Sequence, residues 1–308
     1  IEDVKKLASG YVTDENMIAL IQAPDKEKAN LPSDAEFLSW IKLAGADVKP
    51  YVDEVIDQPL MVEIPKPSAN ISESKIDELG ITEVVLANGV KVILKPTDFK
   101  NDQILFSATS KGGTSLVSDE DFRSGEMASQ LVNSSGVAGF DETQLGKLLT
   151  GKVLSVSPYI SNYREGISAS SSPKDLEAAL QLTHLYFTSP RRDEKVLKTQ
   201  LDEMRTVLVN RSTQPTAVYQ DTASAVLNSY KKRAQTITLA ELDQIQLDKA
   251  LEIYKERFAN AADFTFTFVG NFDVEEIKPL LATYLGSLPA QANKENFKDL
   301  GLKPLNGD

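Results

Sequence analysis

The stretch Leu86–Pro96 reads LANGVKVILKP, and it predicts more about the fold than any other part of the chain. Asn88-Gly89 is typical of a type I′ turn, in which both central residues have positive φ. From Val90 onward apolar residues alternate mainly with lysines, which is the period-two pattern of a strand with one buried face. Together with the apolar run before it, the stretch predicts a β-hairpin over residues 81–96.

Outward from this hairpin, strand and helix patterns follow one another through the rest of the chain. Further strands are predicted at 103–110, 152–160, 163–171 and around the alternating Phe264, Phe266 and Phe268. Helices are predicted at 119–134, from Asp141 to Gly151, from Ser172 to Phe187, at 193–211, 215–232 and 247–259, and from Asp273 to Gly286. This order indicates an α+β fold, with a mostly antiparallel sheet and helices packed on one face.

The sequence also indicates four segments. Residues 1–47 contain an apolar strand candidate at Met17–Ile21 and a capping box at Ser33–Glu36 that opens a helix, and one strand with one helix cannot form a core alone. Residues 48–79 are rich in proline and acidic residues, which predicts an extended linker. We therefore expect the C-terminal tail of a preceding domain at 1–47, a linker at 48–79, a complete domain at 80–290 and the start of another linker at 291–308.

Composition excludes several kinds of chemistry. The 308 residues include one histidine, His184, and no cysteine, which excludes disulfides, thiolate catalysis and cysteine-based zinc or iron–sulfur sites. The net charge of −12 argues against nucleic acid as a partner, because its backbone requires clustered lysine and arginine. No apolar run approaches the ~20 residues of a membrane span. The composition is that of an acidic globular protein.

Three stretches resemble the M16 (pitrilysin/insulinase-like) zinc metallopeptidases, in particular the long bacterial members built from repeated domains. The first is Leu86–Pro96, which is similar to the family's opening hairpin. The others are Asp175–Leu182 with the later Phe187–Pro190, and Phe266–Asp273 with the later Tyr284–Pro289. They occur in the family's order. The resemblance implies an M16/LuxS-like metallohydrolase-type α+β fold, with residues 80–290 as a complete domain of the family's inactive type.

The resemblance also marks where a zinc site would lie and indicates that its donors are missing. Active M16 domains carry His-x-x-Glu-His on a helix, where the two histidines bind zinc and the glutamate is the general base. When the motif is placed by the glycine that follows it, its three positions fall on Met127, Gln130 and Leu131. Glu194 and Glu203 lie on the helix where a third ligand would sit. A lone carboxylate is not a site, so we expect no catalytic residue, no metal and no cofactor in this chain.

Three other features have functional and purely structural interpretations. Lys111–Ser115 (KGGTS) could suggest phosphate binding, but it lacks the spacing of a phosphate-binding loop, and a mobile loop is expected instead. His184 lies near the edge of an apolar helical stripe and has no partner histidine or cysteine, so a packed boundary residue is expected. The spacing Ser-x-x-Lys at Ser72–Lys75 and Ser229–Lys232 suggests acyl transfer, but such matches are common by chance.

The resemblance implies two functions. The first is a non-catalytic domain fragment of an M16-type zinc metallopeptidase, which shapes the peptide chamber and braces adjacent repeats while the parent protein, with zinc in its catalytic domain, hydrolyses peptides. The second is a stand-alone inactive subunit that binds or assembles with a catalytic M16 subunit. Expected partners are other repeats of the parent chain or a catalytic subunit, together with peptide substrates. The long members imply a periplasmic or otherwise exported bacterial protein.

Overall fold

The chain divides between residues 55 and 56 into two units. The computed structural model describes residues 2–8, 10–11, 17–44, 48–49, 52, 56–292 and 294–302. The first unit contains α1 (Glu2–Ala8), a 3-10 turn at Asp25–Asn30 and α2 (Asp34–Leu43). No residue of α2 is buried. The described part of this unit therefore consists of exposed helices and connecting segments.

Two local predictions for the first unit have opposite outcomes. The capping box is confirmed, because the Ser33 N–H donates to Glu36 Oε2 at 2.9 Å and the Glu36 N–H donates to Ser33 Oγ at 3.4 Å. The strand at Met17–Ile21 is wrong, since these residues have no regular structure and are exposed. A strand requires a paired neighbour and a covered face, and an apolar run supplies neither.

The second unit is built on one sheet. Its strands are β1 (Asn70–Ile76), β2 (Ile81–Leu86), β3 (Lys91–Pro96), β4 (Ile104–Lys111), β5 (Leu154–Ile160), β6 (Arg164–Ser171) and β7 (Thr265–Gly270). Within the described residues they lie in the order β1-β2-β3-β7-β4-β6-β5. Neighbouring strands are antiparallel except for β3 and β7, which are parallel with Val92 opposite Phe266. The predicted α+β fold with a mostly antiparallel sheet is confirmed.

Helices cover one face of this sheet. The helices of this unit are α3 (Phe122–Ser135), α4 (Glu142–Leu148), α5 (Leu176–Thr188), α6 (Glu194–Arg211), α7 (Pro215–Leu227), α8 (Leu239–Leu242), α9 (Leu247–Arg257) and α10 (Val274–Tyr284). The main contacts with the sheet are made by α3 and α5, at β5 and β6, and other helices pack against these two. Alternation along the strands decides which side chains meet the helices. Phe106 and Phe268 are 3% and 0% exposed on the helix side, whereas Leu105 and Val269 on the other face are 50% and 36% exposed.

The predicted hairpin is confirmed, but its turn is not type I′. Gly89 has a φ of 86°, whereas Asn88 is not among the residues with positive φ. The Gly89 N–H donates to Leu86 O at 2.9 Å, so Gly89 alone adopts the left-handed conformation. Asn88 Nδ2 instead donates to the carbonyls of Leu285 and Leu288, at 2.8 and 3.1 Å. The Asn88 side chain thus binds a segment far along the chain, and statistics on local turns contain no information about that contact.

The sheet begins inside the segment predicted to be a linker. β1 pairs with β2 as an edge strand, with Ser74 opposite Glu83. Leu60 and Met61 are also in the core, each 9% exposed. The linker prediction is therefore wrong for these residues. Proline is compatible with the approach to an edge strand, which needs ladder donors on one side only.

The loop predicted to be mobile is tightly held. It forms a buried 3-10 turn, Gly113–Leu116. The Gly113 N–H donates to Glu165 Oε2 at 2.5 Å, and the Thr114 N–H donates to Ser161 O at 2.8 Å. Gly113 has a φ of 60°, and a Cβ there would overlap the carbonyl oxygen of Ser161. The mobile-loop prediction is wrong because these partners lie about fifty residues further along the chain.

Adding one methyl group at Gly113 should destabilise the fold. We expect Gly113→Ala to lower the free energy of unfolding by about 3 kcal/mol or more, because the Cβ meets backbone and the φ is positive. Gly146 is the matched control, since it lies inside α4 with nothing within 4 Å of the position that a Cβ would take. Gly146→Ala should instead raise stability by about 0.5–1 kcal/mol. Denaturant unfolding followed by circular dichroism measures both changes, and equal effects would contradict this account.

Candidate functional site

Helix α3 carries the three positions where zinc-binding residues would be expected. It begins after Asp121 and ends at Gly136, whose φ is 83°. Met127 and Leu131 are 5% and 0% exposed and belong to the hydrophobic core. Gln130 lies on the exposed side of the same helix. The structure therefore places two of the three motif positions among packed apolar side chains.

The donor chemistry at this site does not fit a zinc ion. Met127 offers a soft thioether, Gln130 a neutral amide and Leu131 no lone pair, whereas zinc in proteins takes imidazole, thiolate or carboxylate ligands. Glu194 and Glu203 are both exposed on α6, and the Glu194 carboxylate lies 3.4 Å from Arg192. Across the residues with described structure, no group of three or more His, Asp or Glu side chains is arranged to hold a metal.

His184 is more buried than the sequence suggested. It lies on α5 with 8% exposure, and its Nδ1 is 2.9 Å from Tyr284 O. Because a carbonyl oxygen only accepts, Nδ1 carries the proton in the neutral imidazole. Burial lowers the pKa of His184, and the hydrogen bond to Tyr284 partly opposes that shift. The geometry is that of a structural tie between α5 and α10.

Sequence reasoning missed a buried charge cluster at one end of the sheet. Arg257 Nη1 lies 2.7 Å from Glu295 Oε2, and the arginine side chain is only 7% exposed. Glu165 is 1% exposed nearby. Burial raises the pKa of Glu165, while the Gly113 N–H and the charge of Arg257 act in the opposite direction. One sequence signal existed, because Arg257 continues the buried face of α9 that contains Tyr254.

Comparison with known proteins shows what this chain is similar to. A family model described as the peptidase M16 inactive domain matches residues 244–307. An Arabidopsis thaliana protein named zinc protease PQQL-like is 30% identical over 247 residues, which are 79% of this chain and 23% of that protein. A probable zinc protease PqqL of Haemophilus influenzae is 26% identical over 235 residues, 75% of this chain and 25% of that protein. The chain is therefore similar to M16 peptidases, and residues 244–307 match the inactive domain of that family.

Solved structures show how far the M16 fold extends along this chain. The periplasmic protease PqqL from Escherichia coli matches 92% of this chain and 31% of its own, with a TM-score of 0.71 and 19% identity. At that identity the likeness shows the shared fold. The chain spans about a quarter of the length of the curated relatives it matches. None of its helices in the described ranges has both the length and the apolar character needed to cross a bilayer.

Restoring an M16 motif residue on α3 should carry a large stability cost. We expect Leu131→His to lower the free energy of unfolding by about 3 kcal/mol or more, because it leaves a cavity and buries a polar ring at a fully buried position. Gln130→Glu is the matched control on the exposed side of α3, and it should change stability by less than about 0.5 kcal/mol. Chemical denaturation measures both, and comparable costs would show that α3 is oriented differently.

His184 should make stability depend on pH near neutrality. Its folded pKa lies below its unfolded pKa, so the unfolded chain binds more protons as the pH falls below about 6.5. The contribution of His184 to the free energy of unfolding is fully present above that pH. Below that pH the contribution decreases by at most about 1.4 kcal/mol per pH unit. The difference in unfolding free energy between the native chain and His184→Gln should shrink between pH 7.5 and 5.5. A constant difference would contradict the assignment.

Proposed function

We propose that this chain is a non-catalytic part of an M16-type zinc metallopeptidase whose other domains hydrolyse peptides. The observation that carries the proposal is α3, where Met127 and Leu131 are packed into the core and Gln130 provides no basic group. A helix that uses these positions for packing has no face left on which to present paired imidazoles. Similarity to zinc proteases supports peptide hydrolysis as the chemistry of the parent protein, and the missing donors support a different role for this domain.

Within the parent protein the domain's role is to shape the wall of the peptide chamber and to brace its neighbours. Large exposed apolar side chains on α6 and α7 support this role, because contact with a neighbouring domain would remove them from water. Val207, Tyr219 and Leu227 are 61%, 73% and 60% exposed. The greater length of the relatives also supports it, since they extend well beyond the part that this chain matches.

The proposed location is an exported compartment, such as the bacterial periplasm. The support is the Escherichia coli protease that shares this fold and is described as periplasmic. The lack of cysteine is compatible with that location, since nothing in the fold depends on a reduced or an oxidised environment. The proposed partners are other domains of the same parent protein and the peptides that it hydrolyses.

Zinc content tests the proposal directly. The purified chain, incubated with zinc and then desalted, should contain far less than one zinc per molecule by mass spectrometry, because its donors cannot form a site. It should also leave a library of fluorogenic peptides intact. Stoichiometric zinc together with chelator-sensitive hydrolysis would overturn the proposal.

A second measurement tests the bracing role. The chain should form a complex with the remaining domains of the parent protein when they are produced separately, and peptide hydrolysis by those domains should rise when the chain is added. If the chain instead forms a complex with a catalytic subunit encoded by a separate gene, that result would favour the alternative of a stand-alone inactive subunit. Failure of both kinds of complex to form would contradict a structural role in the peptidase.

A further inference from the structure

A surface segment covers the charge cluster around Arg257. We call residues 294–300 the strap. They have no regular secondary structure, and 294–299 are exposed. The Glu295 N–H donates to Asp263 Oδ2 at 3.3 Å, the Lys298 N–H donates to Ser115 Oγ at 3.0 Å, and the Phe297 ring packs edge-on against Tyr163 at 5.3 Å. An irregular, exposed segment without ladder hydrogen bonds belongs to the part of a fold that opens at low free energy.

The strap covers a cleft with the dimensions of a ligand site. The cleft has a volume of about 370 Å³ and is lined by Arg257, Glu165, Asp263 and Glu295 among others. A second cleft of about 610 Å³ shares Asp263 and Glu295 with it. Volumes of this size are typical of small-molecule and peptide pockets. Glu295 therefore lies where the two clefts meet.

Arg257 presents its guanidinium to this cleft in a way that suits a carboxylate. Its two Nη atoms lie 2.7 and 3.5 Å from the two carboxylate oxygens of Glu295, which approaches the paired geometry of an arginine fork. Glu295 itself is 45% exposed, although its partner is 7% exposed. The arginine is thus part of the folded core, whereas its carboxylate partner comes from the strap.

Two buried polar atoms in the cleft have no protein partner among the described residues. They are Arg257 Nε, which is a donor, and Asp263 Oδ1, which is an acceptor. Buried polar groups in folded proteins are almost always hydrogen-bonded, so an unpaired donor and an unpaired acceptor in one cleft call for an explanation. A ligand with both a carboxylate and an amide N–H has the two groups that these atoms lack.

Once Glu295 is displaced, four basic and three acidic side chains line the two clefts together, which leaves a small excess of positive charge for an anionic ligand. Lys111, Arg164 and Lys294 line the adjoining cleft, and Arg257 lies at its inner side. Of the remaining carboxylates, Glu165 and Asp263 accept hydrogen bonds from Gly113 and Asn260, whereas Glu256 at the cleft is exposed to solvent. Oriented cations of this kind attract a diffusing carboxylate, and added salt weakens the attraction.

We propose that the cleft beneath the strap binds a peptide carboxylate on Arg257, and that Glu295 is an internal carboxylate which this ligand displaces. The inference rests on the peptide-handling role proposed above. The recognised group is either the C-terminal carboxylate of a peptide or an acidic side chain within it. The site adds to the domain a means of holding peptides that requires no metal.

Binding of three short peptides to the whole chain tests the site. The probes are N-acetyl-trialanine with a free C-terminal carboxylate, the same peptide as its C-terminal amide, and N-acetyl-Ala-Glu-Ala amide, followed by calorimetry at low salt. At least one carboxylate probe should bind, and the plain amide should not. The carboxylate probe that binds identifies the source of the recognised group, and binding of neither would overturn the proposal.

The variant Glu295→Gln separates displacement from ordinary surface binding. Removing the competing charge should tighten binding of the carboxylate probe by about fivefold. A change in affinity of this size corresponds to the free energy of a partly exposed ion pair. Glu126→Gln is the matched control, because Glu126 is 51% exposed and pairs with Arg123, which is 7% exposed. That variant should leave binding unchanged. Equal tightening in both variants, or none in Glu295→Gln, would overturn the proposal.

Arg257→Lys provides a further readout. It keeps the positive charge and removes the planar fork, so the preference for the carboxylate probe over the amide should be lost. If this variant does not fold, the comparison of Glu295 with Glu126 still decides the question. Zinc content and hydrolysis are measured separately, so failure of this site is distinguishable from failure of the proposed function.

Discussion

The position of β7 is the constraint on which the rest of the structure depends. Among the described residues this strand is the last of seven in chain order, yet it lies in the middle of the sheet, parallel to β3 on one side and antiparallel to β4 on the other. It joins the hairpin of β2 and β3 to the three antiparallel strands β4, β6 and β5. Phe266 and Phe268 are fully buried, and each such side chain contributes roughly 1.5–3 kcal/mol by leaving water. The two parts of the sheet are therefore joined only when the C-terminal part of the domain supplies β7.

Packing also explains why the helix at the expected zinc-motif positions presents no zinc ligands. A zinc site needs polar donors on a helix face that remains open to substrate and water, whereas α3 presents Met127 and Leu131 to the core. The two uses of the helix are incompatible, because a face cannot be dry and close-packed and also bind a hydrated metal. In this chain the buried face of the helix contributes to the hydrophobic core of the domain.

The buried charges at the end of the sheet connect the loop after β4 to the segment after α10. Glu165 accepts from the Gly113 N–H, and Arg257 pairs with Glu295 of the strap. Gly112 lies between Arg257 and Glu165. A Cβ at Gly112 would lie 3.0 Å from Arg257 Nη1 and 3.1 Å from Glu165 Oε2. A side chain at this glycine would separate the two charges. The glycines of this loop thus allow polar groups to pack closely.

The sequence by itself determined the local elements of secondary structure and the types of side chain that are available for binding a metal. Capping boxes, turn glycines and period-two alternation act over a few residues, so the hairpin, the helix after Asp141 and the strand with Phe266 could be identified without a structure. Counting histidines and cysteines limited the metal chemistry, since composition does not depend on folding.

Tertiary structure alone decided features whose partners are far apart in the chain. The turn at Gly89 depends on carbonyls near residue 285, the rigid loop at Gly113 depends on Glu165, and Arg257 meets Glu295 across an irregular segment. Burial of His184 likewise depends on α10 lying against α5. Local sequence patterns contain no information on such pairings, because hydrogen bonds and desolvation are set by which distant groups the completed sheet brings together.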